Sequence, residues 1–327
     1  MKRLFYLISM IILLASCNNS GYKNTPVAHG NPGDIVVVMN NDSWNSEPGD
    51  TLRAVFHDYC YGVPMEEHWF DLHQIPKEKF IDQNRLHRNI IFQEINPEVA
   101  EASLTIYKDR YAQKQVFVNV VAPNQAEYVK IVSKNRNNLI KLFLDADRDR
   151  WVEQLQKHSN KTVSDKLAQK YFISIKIPAN YYLEEYRDTF AWVSHDTRSY
   201  NMNILVYSWQ LSDTSSLDRD YLISMRNLVL KDNIPGERQG SYMTTETVYD
   251  YPYYELINHK SQPTAILRGL WKVKGDFMGG PFVSYTKIDK PRNRMLTIEG
   301  FVYYPNEEVR DKIRQLEGVL YTTDLIK

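Results

Sequence analysis

His57 and Cys60 stand three residues apart, the spacing that puts an imidazole and a thiol on one face of a helix. That pair could act as base and nucleophile. No flanking signature of a cysteine nucleophile surrounds it, and a lone cysteine on an apolar helix face is ordinarily a small core hydrophobe. Glu66, Glu67, His68, Asp71 and His73 crowd one loop. His68 and His73 are five apart, which sends them to different faces of a helix and opposite faces of a strand, unlike the pair in H-E-x-x-H. A metal there would need ligands from elsewhere, so these read as solvated loop residues. Ser194, His195 and Asp196 are adjacent, and neighbouring strand residues alternate between faces, so they cannot converge as a triad. No G-x-S-x-G elbow occurs. No catalytic residue, metal site or cofactor is therefore assigned from these local motifs.

Two features suit contact rather than catalysis. Gly275-Asp-Phe-Met-Gly-Gly-Pro281 lacks both G-x-G-x-x-G and a G-K-[ST] ending, and it lies between strands, so it reads as a hairpin loop. Phe277 and Met278 near its tip either stay exposed as a contact site or fold back into the domain's own core. Tyr249, Tyr251 and Tyr253 alternate, so an extended segment would line one face with them. Such a face stacks on sugars, packs on a protein, or covers a sheet within the fold.

The chain's location is written at its start. Lys2 and Arg3 precede a mostly apolar run from Leu4 to Leu14, too short to span a bilayer, which takes ~20 residues. It fits the apolar region of a signal peptide. Leu14-Ala-Ser-Cys17 then resembles the bacterial lipobox, which implies cleavage before Cys17 and acyl chains on it. Two or more chains anchor a protein stably to a membrane. The expected organisation is a leader over 1–16, a flexible tether over 17–33 rich in Asn, Gly, Ser and Pro, and two modules over 34–165 and 166–327.

Composition narrows the rest. In 327 residues the 40 basic and 40 acidic side chains balance, which argues against nucleic acid as a partner. With 43% hydrophobic residues the chain can build substantial cores. Strands are expected at Ile35–Met39 and Ile90–Ile95, and a hairpin from Leu104–Tyr111 and Gln115–Val121. Further strands fall at Tyr171–Ile177, Phe190–His195, Asn203–Trp209, Ile266–Gly275, Phe282–Ile288 and Met295–Tyr303. Helices are expected from Asp50 or Thr51 through Cys60, after Asn124 through Leu155 with a new start near Asp145 or Asp147, over Leu217–Val229, and after Asn306. The fold class is α+β, two antiparallel-sheet modules with packed helices. Val118-Asn-Val-Val-Ala-Pro-Asn124 and Gly300-Phe-Val-Tyr-Tyr-Pro-Asn306 both lead from strand to helix, which is either a weak internal duplication or good local chemistry.

Several stretches carry a family resemblance. They are Gly33-Asp-Ile-Val-Val-Val-Met39, Trp44, Gly49-Asp-Thr-Leu-Arg53, Phe70-Asp-Leu72, Arg88-Asn-Ile90 and Arg268-Gly-Leu-Trp-Lys-Val-Lys-Gly-Asp-Phe-Met-Gly-Gly-Pro-Phe-Val-Ser284. With them the chain resembles a family of Bacteroidetes lipoproteins described as domain of unknown function 4837. The resemblance implies the envelope of a Gram-negative bacterium and supplies no activity. Asn18-Asn-Ser-Gly21 lacks the acidic residues that accompany surface display in that phylum, which points to the periplasmic face of the outer membrane. The expected function is a non-catalytic lipoprotein that binds or scaffolds an envelope protein. The alternatives are a glycan-binding lipoprotein using exposed aromatics and a periplasmic hydrolase with a site assembled from distant residues.

Overall fold

The computed structural model describes residues 25–213 and 215–326, so the leader, Cys17 and the first part of the tether lie outside the described residues. The later part of the tether is bound to the first module. Gln113 N–H donates to the Pro26 carbonyl at 2.8 Å, and Ala28 N–H donates back to Gln113 at 2.9 Å.

The β-branched run after Asp34 organises the first module. In β1 (Asp34–Val38), Ile35 and Val37 enter one core while Val36 and Val38 enter another. A strand buried on both faces is the usual setting of parallel pairing. β1 pairs in parallel with β2 (Asp71–Ile75) and with β3 (Asn89–Ile95). β4 (Ser103–Lys108) and β5 (Val116–Ala122) form the expected antiparallel hairpin, and β5 closes the sheet by pairing in parallel with β3. The order is β2-β1-β3-β5-β4. The α+β class holds, but the first sheet is mixed rather than antiparallel.

The helices of this module differ from expectation at their ends. After α1 (Asn41–Trp44), α2 (Glu47–Phe56) stops before Cys60, which lies in the following loop. Asn124 does cap α3 (Gln125–Lys134), accepting from Glu127 N–H at 3.0 Å. The break before α4 (Arg136–Lys157) comes at Asn135, whose side-chain amide donates to the Ile131 carbonyl at 2.8 Å. Asp145 and Asp147 are interior residues of α4.

The second module opens with a helix that lies outside the expected elements. α5 (Lys161–Tyr171) is capped by Asn160 and buries Val163, Leu167 and Tyr171 at four-residue spacing. This leaves only Ile173–Ser174 of the next expected strand, β6. Then follow β7 (Tyr182–Tyr186), β8 (Phe190–Asp196), β9 (Asn201–Gln210), α6 (Arg219–Asn233), β10 (Tyr242–Thr245) and β11 (Tyr253–His259). β12 (Gln262–Lys274), β13 (Gly279–Asp289) and β14 (Arg294–Tyr303) complete an antiparallel sheet in the order β10-β12-β13-β14-β9-β8-β7, with β11 also pairing β12. α7 (Arg310–Tyr321) and β15 (Asp324–Leu325) end the chain.

Alternation along the long strands feeds cores on both faces. Ile204 and Val206 pack with α5 and α7, whereas Leu205 and Tyr207 pack with α6. The two strand–Pro–Asn–helix passages differ in their caps, because Asn306 adopts φ 62° and α7 begins four residues later. Among the described residues no helix is long and apolar enough to cross a membrane.

Candidate functional site

The loop between α2 and β2 joins the two modules. Glu67 is 5% exposed and accepts from the backbone N–H groups of Val309 and Arg310, both at 2.8 Å, at the start of α7. Arg310 donates to the His68 carbonyl at 3.0 Å and to Asp71 at 2.8 Å. Burial pulls the Asp71 carboxyl up, but the Arg310 guanidinium outweighs it and holds it below its ordinary value. Glu67, His68 and Asp71 of the acidic and histidine cluster therefore serve an interface, whereas Glu66 and His73 stay exposed as the solvated reading expects. The cluster's histidines do not converge either: His68 stacks on His57 at 4.5 Å, while His73 meets Asp34 at 3.1 Å.

Two glycines permit close approach between the modules. A Cβ on Gly62 would lie 2.7 Å from the backbone nitrogen of Gly269 in β12. One on Gly318 in α7 would lie 2.4 Å from Cδ1 of Trp151, whose indole N–H donates to the Gln315 carbonyl at 2.9 Å. α4 thus serves both cores, giving Leu139 and Phe143 to the first and Leu155 and Trp151 to the second.

Between α4 and the elements β11, β12, β13 and α7 lies a cleft of about 700 Å³. Ile140, Leu144, Ile257 and Ile266 supply an apolar wall, and Trp69, Trp151, Tyr285 and Tyr321 supply rings. Tyr61 and Tyr253, both partly exposed, stack at 4.8 Å and 3° from parallel at its rim.

Each carboxylate lining the cleft is paired. Asp58 meets Arg136 at 2.6 Å, Asp145 meets Lys141 at 2.7 Å, and Asp147 meets Arg150 at 2.6 Å. Arg268 bonds Glu317 and lies 3.6 Å from Glu255, and Asp311 meets Arg310 at 3.0 Å. Burial works against the Glu317 carboxylate, yet the Arg268 guanidinium keeps its pKa below the ordinary range. Arg314 differs. No carboxylate stands within 4 Å of it among the described residues, and its guanidinium packs 5.1 Å from the Phe70 ring.

Cys60 sits beside this arginine, 3.9 Å from Arg314 Nη2. Burial nonetheless pushes the thiol up to about 11, the opposite of an activated nucleophile. His57 caps the end of α2 and turns its ring to His68, so the helical pairing with Cys60 does not form. Ser194, His195 and Asp196 point apart, to Glu184, Asn180 and Asn201 respectively.

The contact candidates also separate. Phe277 is 94% exposed, whereas Met278 packs against the core beneath α6 and lines a second cavity of about 500 Å³ with Trp192, Trp271 and Tyr303. Tyr249 is exposed, Tyr251 donates to Asp220 at 2.9 Å, and Tyr253 belongs to the cleft. The three tyrosines therefore do not share one face. Sequence reasoning gave Arg88, Arg148 and Arg314 no role in a site, because arginines on helices and loops read as solvated surface. The available signal was Asp145-Ala-Asp-Arg-Asp-Arg-Trp151, a dense charge run ending on a tryptophan.

No curated protein matches the chain. Among solved structures, a mutant of protein Mog1 shares 12% identity over 48% of this chain and 92% of its own, with a TM-score of 0.31. The Saccharomyces cerevisiae Ran-binding protein Mog1p shares 12% over 48% and 91%, with a TM-score of 0.30. A profile described as Domain of unknown function (DUF8532) matches residues 28–156. That span holds the shorter motifs, whereas Arg268–Ser284 falls in the region 159–322 matched by a second profile. By that second match, which covers half its length, the chain belongs to the family described as Domain of unknown function (DUF4837).

Proposed function

We propose that the protein is a non-catalytic binding protein of the cell envelope, lipid-anchored at Cys17 on the periplasmic face of the outer membrane, with its ligand held between the two modules. The anchor rests on Lys2-Arg3, the short apolar run and Leu14-Ala-Ser-Cys17. The observation that carries the binding reading is the cleft, whose size and mixed apolar and polar lining suit a small molecule. Binding is favoured over hydrolysis because every lining carboxylate is held in an ion pair, which leaves none free as a general base.

Exposed Asn137 lies on α4 at the cleft, so Asn137→Trp fills the space without entering a core. The low-molecular-mass fraction extracted from native envelopes is expected to raise the melting temperature of the wild-type chain and not of this variant. No shift in the wild type, or equal shifts in both, would defeat the proposal.

A further inference from the structure

We infer that the cleft recognises an organic oxyanion, a carboxylate or phosphoryl group carried on a ring or apolar body, through guanidinium N–H groups of Arg314, Arg88 and Arg148. This rests on the cleft being the binding site. Twelve buried side-chain polar atoms among the described residues have no hydrogen-bond partner, and four of them are Arg88 Nε, Arg148 Nε, Arg314 Nε and Arg314 Nη1. All three arginines line this one cleft.

A buried guanidinium N–H without an acceptor is costly, so such a concentration of unmet donors calls for an anion. Arg314 is the extreme case. Its Nη2 is used by the Trp69 carbonyl and lies near Cys60 Sγ, while among the described residues its other nitrogens have no acceptor and no carboxylate is in contact. Among the described residues Arg88 has only Asp147 as ionic partner, at 3.7 Å. Arg148 is held by Asp145 at 2.9 Å and lies 3.9 Å over the Tyr321 ring, which fixes its plane.

Gly33 keeps room beside Arg314. A Cβ there would lie 3.0 Å from Arg310 Nη2 and 3.5 Å from Arg314 Nη1. Arg310 itself is already satisfied by Asp71, Asp311 and the His68 carbonyl. Planar guanidinium groups match carboxylate and phosphoryl oxygens with two parallel hydrogen bonds. Trp69, Trp151, Ile140 and Leu144 would cover the remainder of such a ligand.

Titration calorimetry on the full chain with phenyl phosphate, benzoate, benzyl alcohol and benzylamine tests the charge requirement directly. Phenyl phosphate or benzoate is expected to bind at least about ten-fold more tightly than the other two, and to weaken as salt is raised. Arg314→Gln should lose about ten-fold of that affinity, and Arg148→Gln provides the same readout should the first variant fold poorly. Phosphatidylglycerol vesicles that bind the Cys17→Ser chain through the same arginines would assign the anion to a lipid headgroup; binding of the soluble probes alone would assign it to a free metabolite. Equal binding of benzyl alcohol or benzylamine, or affinity unchanged in both variants, would overturn the inference. Should no probe bind while the envelope fraction still stabilises the chain in an Asn137-sensitive way, the oxyanion is wrong and the cleft remains. Should neither act, both fail.

Discussion

Glu67 caps the helix that begins at Arg310: its carboxylate accepts the N–H groups of Val309 and Arg310 at 2.8 Å, across 243 residues of chain in the second case. The first turn of a helix leaves N–H groups without intrahelical partners, and a carboxylate there meets both those donors and the positive end of the helix dipole. Here the cap comes from the other module. Helix start and module docking are thereby one interaction.

Replacing this side chain tests that coupling. Glu67→Ala should lower stability by about 2–4 kcal/mol, because two N–H groups in a buried setting lose their acceptor. Glu67→Gln, which keeps one acceptor oxygen, should lose less. Denaturant unfolding followed by a signal from each module should show both transitions moving, and a shift confined to one module would refute the coupling.

Cys60 is a structural thiol. With burial pushing it up to about 11, thiolate is scarce at pH 8. Labelling of the native chain by a disulfide reagent at pH 8 should be slow compared with the unfolded chain. Native labelling as fast as unfolded would contradict this.

Phe277 and Met278 should behave oppositely. Phe277→Ser removes an exposed ring and should change stability by no more than about 0.5 kcal/mol. Met278→Ser takes away a side chain packed on the core beneath α6 and should cost about 1–2 kcal/mol. Chemical denaturation of the two single variants distinguishes them, and equal losses would reject the division.

Acid should destabilise the protein through His259. Burial, and then the charges of Lys287 and Lys260, lower its pKa to about 4 in the folded chain, while Tyr321 and Asp324 pull the other way. The unfolded chain therefore binds the extra proton first. Stability is complete above about pH 6.5 and falls as pH drops toward about 4, with up to about one proton taken up on unfolding. His259→Gln can still donate to the Tyr321 carbonyl, which His259 Nε2 reaches at 2.9 Å, and should flatten that slope in melting curves. An unchanged slope would reject the assignment.

Cys17 should be the acylated first residue of the mature protein. Intact mass of the chain purified from native membranes is expected to begin there and to exceed the peptide mass by its acyl groups, and Cys17→Ser should move the chain to the soluble fraction. A mature chain that starts elsewhere without added lipid would end the anchor proposal.

Local chemistry carried much of the fold. The short β-branched and apolar runs within Asp34–Val38, Phe190–Asp196, Asn201–Gln210 and Arg294–Tyr303 specified strands, because near-continuous apolar content over so few residues suits a strand buried on both faces. Asn124 specified the start of α3 through a bond within its own turn. The Gly275–Pro281 turn and the lack of a local triad at Ser194, His195 and Asp196 were equally legible, since each depends on neighbours in the chain.

What depended on partners far away in sequence was decided only by the tertiary structure. Continuous burial of β1 is compatible with parallel or antiparallel neighbours, and the crossing of α2 back over the sheet chose the former. The cap of α7 came from Glu67 and not from Asn306, because a left-handed Asn306 turns the chain before the helix starts. The cleft exists because Gly62 and Gly318 let two modules approach, and Arg88, Arg148 and Arg314 become a group only once that docking has buried them. An arginine in sequence is a surface charge by default; its withdrawal from water is a property of the assembled fold.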